Sequence, residues 1–450
     1  MSKRSAREIV VDILEEVDSK DAYSNIVLNR VLNSYTNLSA VDKGFITEVT
    51  NGTIKYSRKI DYIINSFANT PTNKMKPFIR SVLRMSVYQI VFLDKVPDSA
   101  VCNEAVKIVK KRKMGKLSGF VNGVLRNIAR KHTNISYPDK NTDPVEYLGV
   151  VYSFPDWIIE LWLKDYPFDL VEKLCLSLNE SPEITIRTNN LIKSKDDVKK
   201  LLKEARLNVE DGNLAPEALK IYKGASVFNL KGFKDGYFTV QDESSMLVSH
   251  ILNPQKGDMV LDVCAAPGGK SSHIAELMSN QGTIISADIY EHKLDLIEST
   301  SKRMGHSIIQ TVMQDARVEN PDYIEKFDRV LVDAPCSGLG ILHKKSDIRW
   351  NKELSDIKNL VKIQKEILKV SAKYVKPGGI MVYSTCTISH AENQQMVEWI
   401  LESLDFELEE INSYIPKELH NEDSKQGYIQ IFPFDAGTDG FFMARLRKRG

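Results

Sequence analysis

The sequence predicts a multidomain chain: an all-α front, a small α+β middle unit, and a C-terminal α/β domain on a mostly parallel sheet with an antiparallel edge. Three observations carry this expectation. The 450 residues exceed one ordinary core. Residues 1–130 repeat apolar side chains at helical spacing, with scarce strand signals. From about residue 236, short apolar runs alternate with helical stretches, which is the rhythm of parallel strands joined by crossover helices.

In the front, "REIVVDILEEV" places Ile9, Val10, Ile13, Leu14 and Val17 on one face. "SRKIDYIINSF", "KPFIRSVLRMSVYQIVFL", "NEAVKIVKKRK" and "LSGFVNGVLRNIARK" continue the pattern, so residues 1–135 form one helical domain. Residues 136–153 are polar with prolines and read as a linker. The α+β unit is expected over 154–235, with a proline-bounded helix in "FPDWIIELWLKDYP" and a helix in "KDDVKKLLKEARL". In "EITIRTN", Ile184 and Ile186 alternate with Thr185 and Arg187 as in a strand. "ALKIYKG" and "SVFNL" are short strand candidates. In 236–450, "MVLDVCA", "TIISADI", "SIIQTVMQDA", "RVLVDAP" and "GIMVYSTCT" are parallel strands, and "YIQIFP" and "DGFFMARLRK" supply the antiparallel edge.

Composition is that of a globular protein, 42% hydrophobic and 27% charged. No apolar run reaches the length of a membrane span, and the first residues turn acidic before a signal-peptide core could form. Five scattered cysteines do not read as a disulfide framework, so a reducing cytoplasm is expected. The net charge of +1 hides an asymmetry: residues 1–140 hold 24 Lys/Arg against 13 Asp/Glu, and the rest is acidic. The basic cluster of Lys107, Lys110, Lys111, Arg112, Lys113, Lys116, Arg126, Arg130 and Lys131 suits a polyanion, though a solvated helix surface would look the same.

The turn "VLDVCAAPGGKSSHIAEL" joins a strand to a helix, where open α/β sheets bind ligands. Its small residues, Ala265, Ala266, Gly268 and Gly269, allow close backbone approach, and the next helix offers free amides. Cys264 to Gly269 breaks the G-x-G-x-x-G pattern of dinucleotide sites, and the P-loop pattern fails because Cys264 stands at its first glycine. S-adenosylmethionine is the third reading. Asp288 ends the second strand, 20 residues after Gly268, and can accept both ribose hydroxyls. Asp315 ends the third, placed for an adenine amino group. One such acid could be a helix cap. Asp288, Asp315 and Asp333 together, each closing a strand, are harder to explain that way.

Two further strand ends carry thiols. Asp333 and Cys336 lie in "VDAPCSGLG", and Cys386 in "YSTCTIS". A lone cysteine is usually a small buried hydrophobe, which suits Cys102 and Cys175 in their helical apolar patterns. Cys336 and Cys386 sit instead among polar and small residues. A thiolate adding to carbon 6 of a cytosine makes carbon 5 nucleophilic toward a sulfonium methyl, and an acid can hydrogen-bond the ring. The residues alone leave open which thiol attacks. No C-x-x-C pair exists and histidines do not cluster with cysteines, so no metal is expected.

"FDRVLVDAPCSG" (Phe327–Gly338), "CAAPGGK" and "STCTISHAEN" resemble the signature blocks of the NOL1/NOP2/Sun family of RNA cytosine-5 methyltransferases, with support from "TVQDESSMLV", "DIRW" and "GTDGFF". The basic front resembles the NusB-like domain of bacterial Sun-type members, which methylate 16S ribosomal RNA. The resemblance implies a Rossmann-like class I methyltransferase domain over 236–450. It implies Cys386 as nucleophile, Cys336 as the group that helps release product, and Asp333 as the hydrogen-bonding partner of the cytosine ring. It implies that Cys264, Ala265, Ala266, Pro267, Gly268, Gly269, Lys270, Asp288, Asp315 and Asp333 bind S-adenosylmethionine. Lys270, unfavourable beside a helix N-terminus, is expected to have a partner such as Asp333 or the substrate. Phe434-Asp435 departs from the family, where a basic residue is frequent, with little effect expected on the chemistry. The expected partner is 16S ribosomal RNA, with neither DNA nor membrane, and the expected state is a cytoplasmic monomer. The alternatives are the same chemistry on tRNA or 23S rRNA, a P-loop ATPase, or a non-catalytic RNA-binding factor in ribosome assembly.

Overall fold

The structure is a computed structural model that describes residues 4–20, 24–35, 37–222 and 227–450. The chain divides into two compact units: Met1–Asn179 with Lys345–Lys352, and Glu180–Lys344 with Glu353–Gly450.

The first unit is helical. Its centre is the helix Pro77–Phe92, whose residues are apolar nearly all round and mostly buried. Proline at its first turn costs no hydrogen bond there. The helices Ala6–Lys20, Ala40–Lys55, Ser57–Phe67, Asp98–Lys111 and Ser118–Lys131 pack against it. Ser39 caps Ala40–Lys55 by accepting from the Asp42 amide. The stretch 136–153, expected to be a linker, carries the helix Pro144–Val151, with Asp143 as its cap and Leu148, Gly149 and Val150 buried. The helices Asp156–Asp165 and Phe168–Ser177 also belong to this unit.

"DIRW" falls here, within Lys345–Lys352. Asp347 accepts from the Ser24 amide at 2.9 Å, and the Trp350 indole donates to the Ile54 carbonyl at 2.8 Å. Arg349 is fully buried. Its Nη1 donates to the Ser153 carbonyl at 3.0 Å and to Asn179 Oδ1 at 3.1 Å, and its guanidinium lies 4.0 Å from the Phe154 ring centre. Burial lowers its pKa to about 10.

The second unit holds two sheets. The strands β1 (Ile184–Thr188), β2 (Asn208–Asp211), β3 (Ala218–Tyr222) and β4 (Phe238–Val240) form an antiparallel sheet in the order β2-β3-β1-β4. "SVFNL" is not a strand where described: Val227–Asn229 is a 3-10 turn, since one buried residue, Val227, gives no alternating face to pair. Its Ser226 lies outside the described residues.

The larger sheet contains β5 (Met259–Asp262), β6 (Thr283–Asp288), β7 (Ile309–Met313), β8 (Phe327–Asp333), β9 (Val375–Thr385), β10 (Phe406–Leu408), β11 (Tyr428–Ile431) and β12 (Phe441–Lys448). The path is β10-β12-β9-β8-β5-β6-β7, with β11 also on β12. β5 to β9 are parallel, whereas β12 runs antiparallel to β9, β10 and β11. β12 therefore lies inside the antiparallel end, flanked on both sides. Two apolar cores cover the faces: Val330, Val332, Met381 and Tyr383 point to one, and Leu331, Ile380 and Val382 to the other. Among the described residues, no helix is long and apolar enough to cross a membrane.

Arg349→Ala leaves the Ser153 carbonyl and Asn179 short of a donor and uncovers Phe154. It should destabilise the helical unit by about 3 kcal/mol. Calorimetry should show an earlier transition for this unit, and an unchanged melting profile would contradict these anchors.

Candidate active site

Strand order reverses between β5 and β8, with β6 and β7 on one side and β9 on the other. Loops leave a crevice at such a reversal, at the carboxyl ends of the strands. The residues singled out in the sequence lie on the loops around it.

Asp262 ends β5. Its Oδ2 accepts from Ser271 Oγ at 2.7 Å, and Ser286 Oγ lies 2.9 Å from Ser271 Oγ. Its Oδ1 is buried with no hydrogen-bond partner. Burial raises the Asp262 pKa to about 7, against the Ser271 hydrogen bond that lowers it. Beyond it, Cys264–Pro267 turn toward the helix Gly269–Leu277. The Ala265 amide donates to the Ala287 carbonyl at 2.9 Å, and the Gly268 amide to the Ala265 carbonyl at 2.7 Å. Gly268 has φ +97°, and a Cβ there would lie 3.1 Å from Ile297 Cα, so a side chain fits neither the backbone nor the space. The Cys264 thiol is pushed up by burial and by Asp262, Asp333 and Asp288.

The rear of this loop is held by Arg187 of β1, at 0% exposure. It donates to the Gly269 carbonyl at 2.8 Å and Ser272 Oγ at 2.7 Å, pairs with Glu276 at 2.8 Å, and bonds Gln241. The alternation in "EITIRTN" suggests a polar outer face for Arg187, but both faces of this strand are covered. No sequence signal distinguishes it from a surface arginine.

Asp288 ends β6, nearly buried, and accepts from the Tyr290 amide at 3.2 Å, with Lys293 Nζ at 3.5 Å. Met313 of β7 is its strand partner, and Ile289, Tyr290 and Met313 are large exposed apolar residues beside it. Asp315 is forked by Arg317, at 3.0 and 2.7 Å, and these hydrogen bonds lower its pKa.

Asp333 ends β8 opposite Ser384 of β9. Its Oδ1 accepts from Ser384 Oγ at 2.8 Å and its Oδ2 from Lys270 Nζ at 2.7 Å. Burial lowers the Lys270 pKa, but Asp333 outweighs it and Cys386 adds to the net rise. The same ammonium lies 5.0 Å from the Phe441 ring centre. Cys336 and Cys386 meet with their sulfurs 3.3 Å apart, both half-buried. The Cys336 thiol is raised well above its ordinary range by the hydrogen bond with Cys386 and by burial, with Glu392 and Asp333 adding. Cys102 and Cys175 are buried in the helical unit.

The loops after β8 and β9 are tied by backbone. The Gly340 amide donates to the Cys386 carbonyl at 3.1 Å, and the Gly440 amide to the Gly340 carbonyl at 2.9 Å. A Cβ on Gly340 would lie 2.0 Å from the Gly440 oxygen. "TVQDESS" and "GTDGFF" meet at Lys344, which pairs with Asp242 and Asp439 at 2.7 Å each. The unusual Asp435 accepts from the Phe432 amide at 2.8 Å and so caps a short turn.

Among the described residues, Glu217, His250 and His273 form a metal donor set. The His250 and His273 Nε2 atoms lie 2.9 and 2.8 Å from Glu217 Oε1. Burial opposes ionisation of Glu217, but these hydrogen bonds outweigh it and lower its pKa. On the helical unit all nine residues of the basic cluster are exposed. Lys111 pairs with Glu8 at 2.7 Å, Arg112 with Asp12, and Lys107 with Glu104 at 2.8 Å.

Three family models match: "16S rRNA methyltransferase RsmB/F" over residues 249–447, the NusB family over 4–130, and an RsmF/B-like ferredoxin-like domain over 154–228. "Probable ribosomal RNA small subunit methyltransferase B" of Bacillus subtilis (strain 168) is 39% identical, across all of both chains. The chain belongs to the ribosomal RNA small subunit methyltransferase B family. A relative of the same name from Synechocystis is 36% identical over 99% of both chains. Among solved structures, the crystal structure of PH0851 aligns over 99% of each chain at TM-score 0.80 and 27% identity. The front is thus a NusB-like helical domain, the sheet domain a methyltransferase, and S-adenosylmethionine the cofactor.

The raised Asp262 carboxyl makes stability depend on pH. The folded chain keeps a proton up to about pH 7 that the unfolded chain loses near pH 4. This contribution is complete below about pH 4 and disappears as pH rises through about 7. Asp262→Asn mimics the neutral acid, so its melting temperature relative to the native chain should rise between about pH 4 and 8. Calorimetry at several pH values checks this, and a difference independent of pH would contradict it.

Proposed function

We propose that this enzyme transfers a methyl group from S-adenosylmethionine to carbon 5 of a cytosine in 16S ribosomal RNA, through a transient Cys386–cytosine bond. The observation that carries the reading is the pair of sulfurs 3.3 Å apart, at the ends of two adjacent strands, beside an acid fixed by Lys270 and Ser384. The names of the relatives support the small-subunit RNA substrate. We take the enzyme to act as a cytoplasmic monomer.

The loop suits the cofactor. Cys264 to Lys270 give a turn with little side-chain bulk, tightened at Gly268. Asp288 offers carboxylate oxygens for ribose hydroxyls. Ile289, Tyr290 and Met313 offer apolar surface to a planar base, and Asp315 offers an acceptor for its amino group. When bound, S-adenosylmethionine supplies an electrophilic methyl carbon.

The residues of this chain then do the following. The Cys386 thiolate forms a bond to carbon 6, and the displaced electron pair makes carbon 5 nucleophilic. Asp333 hydrogen-bonds the polar edge of the ring as charge moves into it. Each of its oxygens has a second lone pair beyond those used by Lys270 and Ser384. After methylation, loss of the carbon-5 proton to water restores the double bond and expels Cys386 as a thiolate. The Cys336 thiol donates a hydrogen bond to the departing sulfur, which favours release. A cytosine in a duplex cannot be reached at carbon 6, so the target base is unstacked. The exposed basic side chains of the helical unit supply non-specific phosphate contacts.

Cys386→Ala should lower methyl transfer to a 16S transcript by at least about a thousandfold while S-adenosylhomocysteine affinity stays within about twofold. Tritium transfer and calorimetry check this, and sustained turnover would refute the role of the thiol. Cys336→Ala should accumulate an RNA–protein adduct on a denaturing gel, and rapid turnover without adduct would refute its role in release. Bisulfite mapping of rRNA from a deletion strain locates the cytosine.

A further inference from the structure

The segment after Cys386 contains a buried acid that the reaction above does not use. Glu392 is at 0% exposure, yet its carboxylate touches the loop of the other thiol. Oε1 accepts from the Ser337 amide at 2.9 Å and from Gln364 Nε2 at 3.1 Å. Oε2 accepts from Ser337 Oγ at 2.5 Å. Ser337 follows Cys336 directly, so two of these three hydrogen bonds fix the residue beside that thiol.

The next residue serves the other thiol. Asn393, also fully buried, accepts from Thr385 Oγ1 at 2.6 Å and donates to the Thr387 carbonyl at 3.0 Å. Thr385 and Thr387 flank Cys386. One dipeptide thus grips both cysteine loops, and a hydroxyl chain joins them. Ser337 has a single hydroxyl proton and gives it to Glu392. It therefore accepts from Thr387 Oγ1, 2.6 Å away, and Thr387 in turn accepts from the Leu339 amide at 3.3 Å.

We propose that Glu392 is a positioning residue of the methyl-transfer cycle. It holds Cys336 in register with Cys386, and its negative charge keeps Cys336 a protonated donor. The proposal rests on the roles given above to the two cysteines. The charge acts in the stated direction, since Glu392 and Asp333 both raise the Cys336 thiol, after the Cys386 hydrogen bond and burial. Two sulfurs 3.3 Å apart cannot both ionise without strong repulsion. The Glu392 carboxylate on the Cys336 side disfavours ionisation of that thiol. Glu392 itself reaches no reacting atom, so it acts through Cys336.

The test uses the full-length enzyme and Glu392→Gln, which keeps the shape and removes the charge. Without RNA, Cys336 is alkylated with iodoacetamide from about pH 6 to 10, its peptide is quantified by mass spectrometry, and the shift of its raised midpoint is read as the displacement of the rate profile along the pH axis. The midpoint for Cys336 should move down by about one pH unit. With a 16S transcript, kcat should fall roughly tenfold, KM should stay within about threefold, and the adduct should persist. Thr387→Val cuts the hydroxyl chain but keeps the charge. It should slow release with the alkylation midpoint unmoved, and it stands in for kinetics if Glu392→Gln does not fold. An unmoved Cys336 midpoint in Glu392→Gln, or normal release in Thr387→Val, would overturn the proposal. Alkylation needs no RNA, so this failure is separable from a wrong assignment of the nucleophile, which appears as turnover by Cys386→Ala.

Discussion

A half-buried ammonium against a carboxylate organises the catalytic end of the sheet. Lys270 comes from the turn after β5, Asp333 from the tip of β8, and Ser384 of β9 takes the remaining oxygen of Asp333. Desolvating two charges is costly, and losing either partner leaves the other uncompensated, so the pair strongly fixes the relative position of the loops that carry it. The Phe441 ring lets the ammonium sit away from water without a second acid. Arg187 performs the same service for the loop: its five donors bind a carbonyl, a hydroxyl, an amide and Glu276, and so hold the helix N-terminus.

What was legible in the sequence is what lies on single loops. Cys264 to Lys270 are contiguous, and the acids at 288 and 333 follow strands whose apolar runs mark their own ends. The pairing of Asp333 with Ser384 follows from parallel register, which brings the two thiols together a few residues later. What was not legible depends on tertiary contact. Arg187 fits a half-exposed strand until a second layer covers it. Residues 136–153 contain prolines and polar residues, yet Pro144 with Asp143 before it makes a good helix start, and neighbouring helices bury the apolar face. Lys345–Lys352 lies within the catalytic sequence but packs in the helical unit, because its three anchors reach backbone groups and amides that no local pattern reveals.

Charge counting has a similar limit. A surplus of Lys and Arg in residues 1–140 is correct as a sum, but three of the cluster's cations pair with acids, two of them through the first helix. Such exposed pairs add little stability and are screened by salt. Their main effect is to confine the free field to Lys110, Lys113, Lys116, Arg126, Arg130 and Lys131, for which no ion pair is formed among the described residues. A phosphate backbone would meet that remainder before it met the paired residues.

The two sulfurs show why a reaction centre needs structure beyond its reacting atoms. A covalent nucleophile must attack as an anion and later leave as one, and a neighbour that donates a hydrogen bond helps the second step without blocking the first. Two equivalent thiols would share the charge and populate the wrong anion about half the time. Equivalence is broken here by position: the Glu392 carboxylate bonds Ser337, the residue directly after Cys336. That contact is maintained because Glu392 and Asn393, which grip the two thiol loops, are adjacent in the chain. Covalent connectivity thus sets the spacing that hydrogen bonds transmit to the thiols.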